Sequence, residues 1–176
     1  MALAVKKTYG KLVRGIKEVK IKGQFTQVSR WVISEAQPHV SIKLKSLFPH
    51  IPTHNIPPYY FDNTPQHCFD LLWFMEKYPL EVSDADMKRL IKGKKERIKT
   101  LNEIEQILLP DYVGQDVLLK AGRAARHYQI SGSDIFLKVK RLLLADDLGL
   151  GKTLTAIISF MRAELRPAAV VVQGHL

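Results

Sequence analysis

The 176-residue chain has room for one ordinary domain, or a small domain joined to part of another, and its 46% hydrophobic and 25% charged content excludes a disordered polymer. A lone cysteine, Cys68, excludes an internal disulfide and a cysteine-rich zinc site, while the apolar runs Leu142–Ala145 and Ala168–Val172 are too short to cross a bilayer and Met1–Val5 too short for a signal peptide. The expectation is a cytoplasmic protein without membrane partners, and the net charge of +10 favours a polyanion, most commonly nucleic acid.

Residues 1–60 hold ten Lys or Arg against only Glu18 and Glu35. Short strands are predicted over the first 45 residues. Lys17–Lys22 alternates Val19 and Ile21 with charged neighbours, and Gln27–Ile33 is β-branched around Trp31. Gly10, Gly15 and Gly23 punctuate these runs as turns. From Phe48 to Pro65 five prolines predict an irregular connection. Trp31, Tyr59, Tyr60 and Phe61 are expected to pack in a core or an interface rather than stack on bases. The histidines (His39, His50, His54, His67, His127, His175) read as loop or surface residues, because Pro52 breaks the helical spacing of His50 and His54.

Thr64-Pro65 opens a helix with Phe69, Leu71, Leu72, Trp73, Phe74 and Met75 as its apolar surface, and Pro79 stops it. Trp73, Phe74 and Met75 are expected in the core. Ser83 caps a second helix, with Asp84 and Asp86 in the first turn where the helix dipole favours acids. It should run to about Leu109, loosened at Gly93 and ended by Pro110. Lys88–Lys99 carries seven basic residues and only Glu96, so it faces solvent or an anion. Lys88, Lys92, Lys95 and Lys99 recur at spacings of three or four and line one helix face. They are candidate contacts to DNA phosphates, against the alternative of a merely solvated face. A boundary is expected at 110–122, dividing a basic accessory region (1–110) from a second region (111–176).

Val139–Ala145 is a short apolar run bounded by charge, which predicts a buried parallel strand. Asp146-Asp147-Leu148-Gly149-Leu150-Gly151-Lys152-Thr153 follows, then a helical stretch from Leu154 to Leu165 and a second β-prone run at Ala168–Val172. Strand, glycine loop ending in Gly-Lys-Thr, helix and strand is the setting of a phosphate-binding loop. Gly149 and Gly151 let backbone N–H groups turn toward phosphate oxygens, and the helix adds the positive end of its dipole. Lys152 would reach the β- and γ-phosphates, and the Thr153 hydroxyl would ligate Mg²⁺. The generic pattern has Gly or Ala where Asp146 stands. An ordinary strand-to-helix turn is the alternative.

The stretch LLLADDLGLGKTLTAI resembles motif I of the Snf-type, chromatin-remodeller-like ATPases of helicase superfamily two, in which an acidic pair precedes x-Gly-x-Gly-Lys-Thr. Tyr128-Gln129 is similar to the end of that family's Q-motif, whose glutamine recognises adenine. Arg126 fits the same motif, while His127 stands where many members have Pro or Glu. AAVVVQGHL is similar to the start of motif Ia, which approaches the DNA backbone and makes His175 a nucleic-acid candidate. PHVSIKLKSLFP and FDLLWFMEKYPLEVS resemble the leader of a bacterial and phage subgroup.

The resemblance implies an α/β fold: an α+β N-terminal region, then the start of a RecA-like lobe with a parallel sheet. It implies ATP and Mg²⁺ as cofactors and movement along duplex DNA, near the nucleoid in a bacterium. After Thr153 the only acid is Glu164, on the helix behind the loop. The second acidic motif that holds Mg²⁺ and activates water is therefore missing, and the chain reads as the inactive N-terminal fragment of a longer motor. A truncated, non-catalytic DNA-binding module is the alternative. A kinase or GTPase is disfavoured by the loop's late position and by the acidic pair.

Overall fold

A computed structural model describes residues 7–21, 24–115, 117, 124–145, 147, 149–162 and 169. The chain divides into two compact units, residues 1–98 and 99–176. In the first, the alternating N-terminal residues form strands longer than the sequence suggests. β1 (Gly10–Ile21) pairs antiparallel with β2 (Gln24–Ala36), and β3 (Tyr59–Asp62) pairs antiparallel with the other edge of β2. Gly10 and Gly15 lie within β1, not in turns. Ser34 is an extra residue on β2, so the register shifts between Lys11 and Leu12. Beyond that bulge Leu12, Ile33, Trp31, Tyr59 and Phe61 are all buried in one core cluster.

Residues 38–47, which overlap the end of the stretch expected to hold strands, are helical instead. α1 (Pro38–Leu47) has Pro38 in its first turn and buries Val40, Ser41 and Leu44. Those positions follow a helical period, and a proline at the first position suits a helix as well as it suits a turn. α2 (Pro65–Lys77) begins where expected, with the Thr64 hydroxyl accepting from the His67 N–H at 3.2 Å. It buries Cys68, Leu71 and Phe74, one per turn. Trp73 points off this stripe and is 50% exposed, so it is not a core residue. Burial pushes the Cys68 thiol above its ordinary value.

α3 (Asp84–Ile107) starts from Ser83, whose hydroxyl accepts from the Asp86 N–H at 3.2 Å. The helix continues through Gly93 without loosening. A Cβ at Gly93 would lie 2.6 Å from Cβ and Sγ of Cys68, so the missing side chain is what lets α2 and α3 touch. Gly93→Ala is therefore expected to destabilise the first unit by about 1–3 kcal/mol despite alanine's better helix propensity. A urea midpoint equal to or above the parent's would refute this account of the helix packing.

The second unit departs most from expectation. Among the described residues it contains no strand pairing that makes a sheet, and the three-stranded antiparallel sheet of the first unit is the sheet observed. The expected RecA-like lobe with a parallel sheet is not what these residues form. Val139 ends α4 (His127–Val139), and Lys140 follows in the left-handed region at φ 60°, its N–H donating to Phe136 O at 2.7 Å. Residues 141–145 are neither helix nor strand, and Leu143 is 89% exposed. A strand is completed by hydrogen bonds from a neighbour, and this run has none among the described residues. The second β-prone run, Ala168–Val172, lies outside the described residues except Ala169.

α4 carries Gly132 and two serines, so its own sequence is a weak helix former. Packing compensates. Ile130 meets Ile158 of α5 (Lys152–Arg162), and a Cβ at Gly132 would lie 3.2 Å from Thr155 Cγ2. No helix among the described residues is long and apolar enough to cross a membrane.

Candidate nucleotide-binding site

The glycine loop leads into α5, which begins at Lys152. Gly149 and Gly151 have φ of 85° and 76°, a region that L side chains rarely enter. Gly149 has open space around its Cα: a Cβ there would meet nothing within 4 Å. At Gly151 the left-handed φ is what calls for glycine; a Cβ there would lie 2.7 Å from Nε2 at the far end of the Gln129 side chain, which would have to shift. Gly151 O accepts the Thr155 N–H at 3.1 Å and closes the first turn of α5. The N–H groups at the head of such a turn have no partner further up the helix. Lys152 lies back across the loop, Nζ donating to Asp147 O at 2.9 Å. Thr153 is exposed, whereas Thr155 and Ile158 are buried against the rest of the unit.

The start of α4 supports this loop from the other side. Tyr128 donates its hydroxyl to Leu150 O at 2.7 Å. Gln129 is only 4% exposed, and its Oε1 reaches back to accept the Arg126 N–H at 3.0 Å. Its Nε2 makes long contacts to Leu150 O (3.5 Å) and Gly151 O (3.4 Å). Tyr128-Gln129 and Gly149–Thr153, separated by about twenty residues, thus form one cluster. The sequence motifs name both groups, but only the fold brings them together.

A polar network unmarked in the sequence ties α4 to α5 behind this cluster. Arg162 Nη2 lies 2.6 Å from Asp134 Oδ1, and its Nη1 donates to Ser133 Oγ at 3.1 Å. Tyr112 donates to the other Asp134 oxygen at 2.8 Å. Burial, reinforced by that hydrogen bond, raises the Tyr112 hydroxyl above its ordinary pKa. No local pattern marks residues so far apart in sequence. The network adds no chemistry to the loop; it fixes the helix that carries Lys152 and Thr153.

Of the remaining candidates, Asp147 and Leu150 are exposed on the loop. Asp146, Leu148, Glu164 and His175 lie outside the described residues. Lys88, Lys92, Lys95 and Lys99 are all exposed on α3, and Lys99 sits 4.0 Å from Glu103. Two of the intervening cations have acidic neighbours: Arg89 with Asp86 at 2.9 Å and Lys94 with Glu76 at 3.6 Å. No group of three or more His, Cys, Asp or Glu placed to hold a metal occurs among the described residues. Compared with known proteins, the chain matches no family model, no curated protein and no solved structure.

Proposed function

We propose that Gly149–Thr153 and the head of α5 bind the phosphates of ATP with Mg²⁺, as part of an ATP-dependent translocase of the Snf type acting on duplex DNA. The observation that carries this reading is the meeting of Tyr128-Gln129 with the loop, through the 2.7 Å bond from Tyr128 to Leu150 O. An incidental Gly-Lys-Thr turn has no reason to be braced by the second stretch that the same resemblance picks out. The loop's composition fits a phosphate chain. Two left-handed glycines leave its backbone uncovered, and the open space at Gly149 gives an anion access.

Lys152 is the loop's cation for phosphate oxygens, and charge-assisted bonds are roughly twice as strong as neutral ones. Thr153, exposed at the head of α5, would offer its hydroxyl to a nucleotide-bound Mg²⁺. ATP and Mg²⁺ supply the leaving group and its charge neutralisation when bound; this chain's residues grip and orient the phosphates.

Titration of a fluorescent ATP analogue with Mg²⁺ tests the reading. The parent should bind, and Lys152→Ala should weaken binding about 10- to 100-fold, the effect expected on removing one charged hydrogen-bonding partner. Circular dichroism should remain that of the parent. Equal affinity in the variant, or no binding by the parent, overturns the phosphate-loop assignment.

A further inference from the structure

The β1–β2 hairpin is longer than the sheet it belongs to. β3 covers β2 only from Arg30 to Ile33, so Ile16–Ile21 and Gln24–Ser29 form a two-stranded ribbon with no third strand. At about 3.3 Å per residue, six residues carry it some 20 Å past the three-stranded part. Its side chains are not packed away: Ile16 is 62% and Phe25 75% exposed, and Lys17, Glu18, Lys20 and Thr26 are exposed as well.

Residues 11–30 carry six basic side chains (Lys11, Arg14, Lys17, Lys20, Lys22, Arg30) and one acid, Glu18. The structure sorts them. Lys11 is paired with Glu81 at 3.2 Å, and the Arg30 guanidinium lies 3.8 Å from the centre of the Tyr60 ring. Arg14, Lys17 and Lys20 are exposed and form no ion pair among the described residues. Strand alternation puts Lys17 on one face and Arg14 and Lys20 on the other, since cross-strand partners share a face.

From this placement we infer that the β1–β2 ribbon is a DNA-binding element that lies in the major groove of B-form duplex. The inference rests on the reading that the chain acts on DNA, and it is independent of the nucleotide loop. A sheet with its side chains is about 10 Å thick, and the major groove is about 12 Å wide and walled by phosphates on both sides. A ribbon cationic on both faces has a positive group for each wall. A protein partner would call for a contiguous apolar face, but here Ile16, Phe25 and Val28 are interspersed with charge and divided between the two faces. A single strand would call for a row of stacking rings, whereas Phe25 stands alone with Lys20 5.9 Å from its centre. The lysine stripe of α3 is the weaker candidate, because Lys99 lies 4.0 Å from Glu103 and the intervening Arg89 and Lys94 have Asp86 and Glu76 beside them.

Fluorescence anisotropy of the full chain on two unrelated duplexes of about 20 base pairs and on a thymidine oligomer of the same length, at three salt concentrations, provides the test. Arg14→Gln, Lys17→Gln and Lys20→Gln combined should weaken duplex binding at least about tenfold on both sequences. The slope of log affinity against log salt should become shallower by about 0.9 for each phosphate no longer neutralised. Lys17→Arg with Lys20→Arg should keep the parent slope, and all variants should keep the parent's thermal midpoint because the replaced side chains are exposed. If the parent binds duplex and the triple variant keeps its slope, the ribbon assignment fails while the DNA reading stands. If the parent binds no duplex, the DNA reading fails and the ribbon with it. Preference for the thymidine oligomer, abolished by Phe25→Ala, overturns the groove placement.

Discussion

Asp134→Ala is expected to destabilise the second unit by about 3 kcal/mol. The substitution leaves Arg162 without its 2.6 Å partner and Tyr112 without its acceptor, in a place where Asp134 and Arg162 are mostly shielded from water. Removing one member of a shielded pair costs more than the pair itself contributes, because the survivor stays desolvated. Arg162→Met combined with Asp134→Leu should therefore recover much of that stability. Hydrogen exchange resolved by segment is the right measurement: α4 and α5 should lose protection, while β1–β3 should not. Unchanged protection in α4 would show that the network does not hold these helices.

The same network predicts an alkaline limb. Folding raises the Tyr112 pKa, so the folded unit holds that proton more tightly than the unfolded chain does. The associated stability is fully present below the ordinary tyrosine value of 10.0 and is lost as pH rises through the higher folded value. Tyr112→Phe should flatten this limb and leave the neutral-pH circular dichroism spectrum unchanged.

Trp31→Ala should cost the first unit about 3–5 kcal/mol. Trp31 is 1% exposed at the centre of β2, opposite Phe61 of β3 and inside the cluster formed with Leu12, Ile33 and Leu71. Among the described residues no other side chain of that size lies so deep in the sheet. Trp31→Phe keeps an aromatic ring there and should cost far less. The chain's two tryptophans make this measurable, because Trp73 is half exposed. A Trp73→Phe variant should emit as a buried indole and shift strongly to the red on unfolding. A Trp31→Phe variant should emit as a wet indole from the start. A large red shift in the second variant would contradict the assigned burial.

The parts of this architecture legible from sequence are those specified by a few adjacent residues. Thr64-Pro65 and Ser83 announce α2 and α3 because capping spans only three residues, and the hydrogen bonds to His67 N and Asp86 N realise it. α1 is harder to read: its buried positions are few, and β-prone residues precede it. Val139–Ala145 carries every local mark of a buried strand, yet local marks are silent about whether a second strand is there to receive it. The glycine loop is legible by motif. Its bracing by Tyr128 is legible only through the resemblance, and the Asp134–Arg162 pair not at all, since the two residues lie on different helices far apart in the chain.

The bulge at Ser34 governs how the hairpin tolerates changes of length. By absorbing one residue at the root, it brings Leu12 and Ile33 to the core side together and so decides the facing of every position further out. Adding or removing one residue from a strand between the bulge and the tip would turn the outer part of that strand over, exchanging the sides of Lys17 and Lys20. Changes of two residues per strand would preserve the pattern and alter only the reach, by about 7 Å. Length variants of this hairpin that keep its charged faces should therefore come in even steps, and Ser34 is the odd insertion seen among the described residues of its strands.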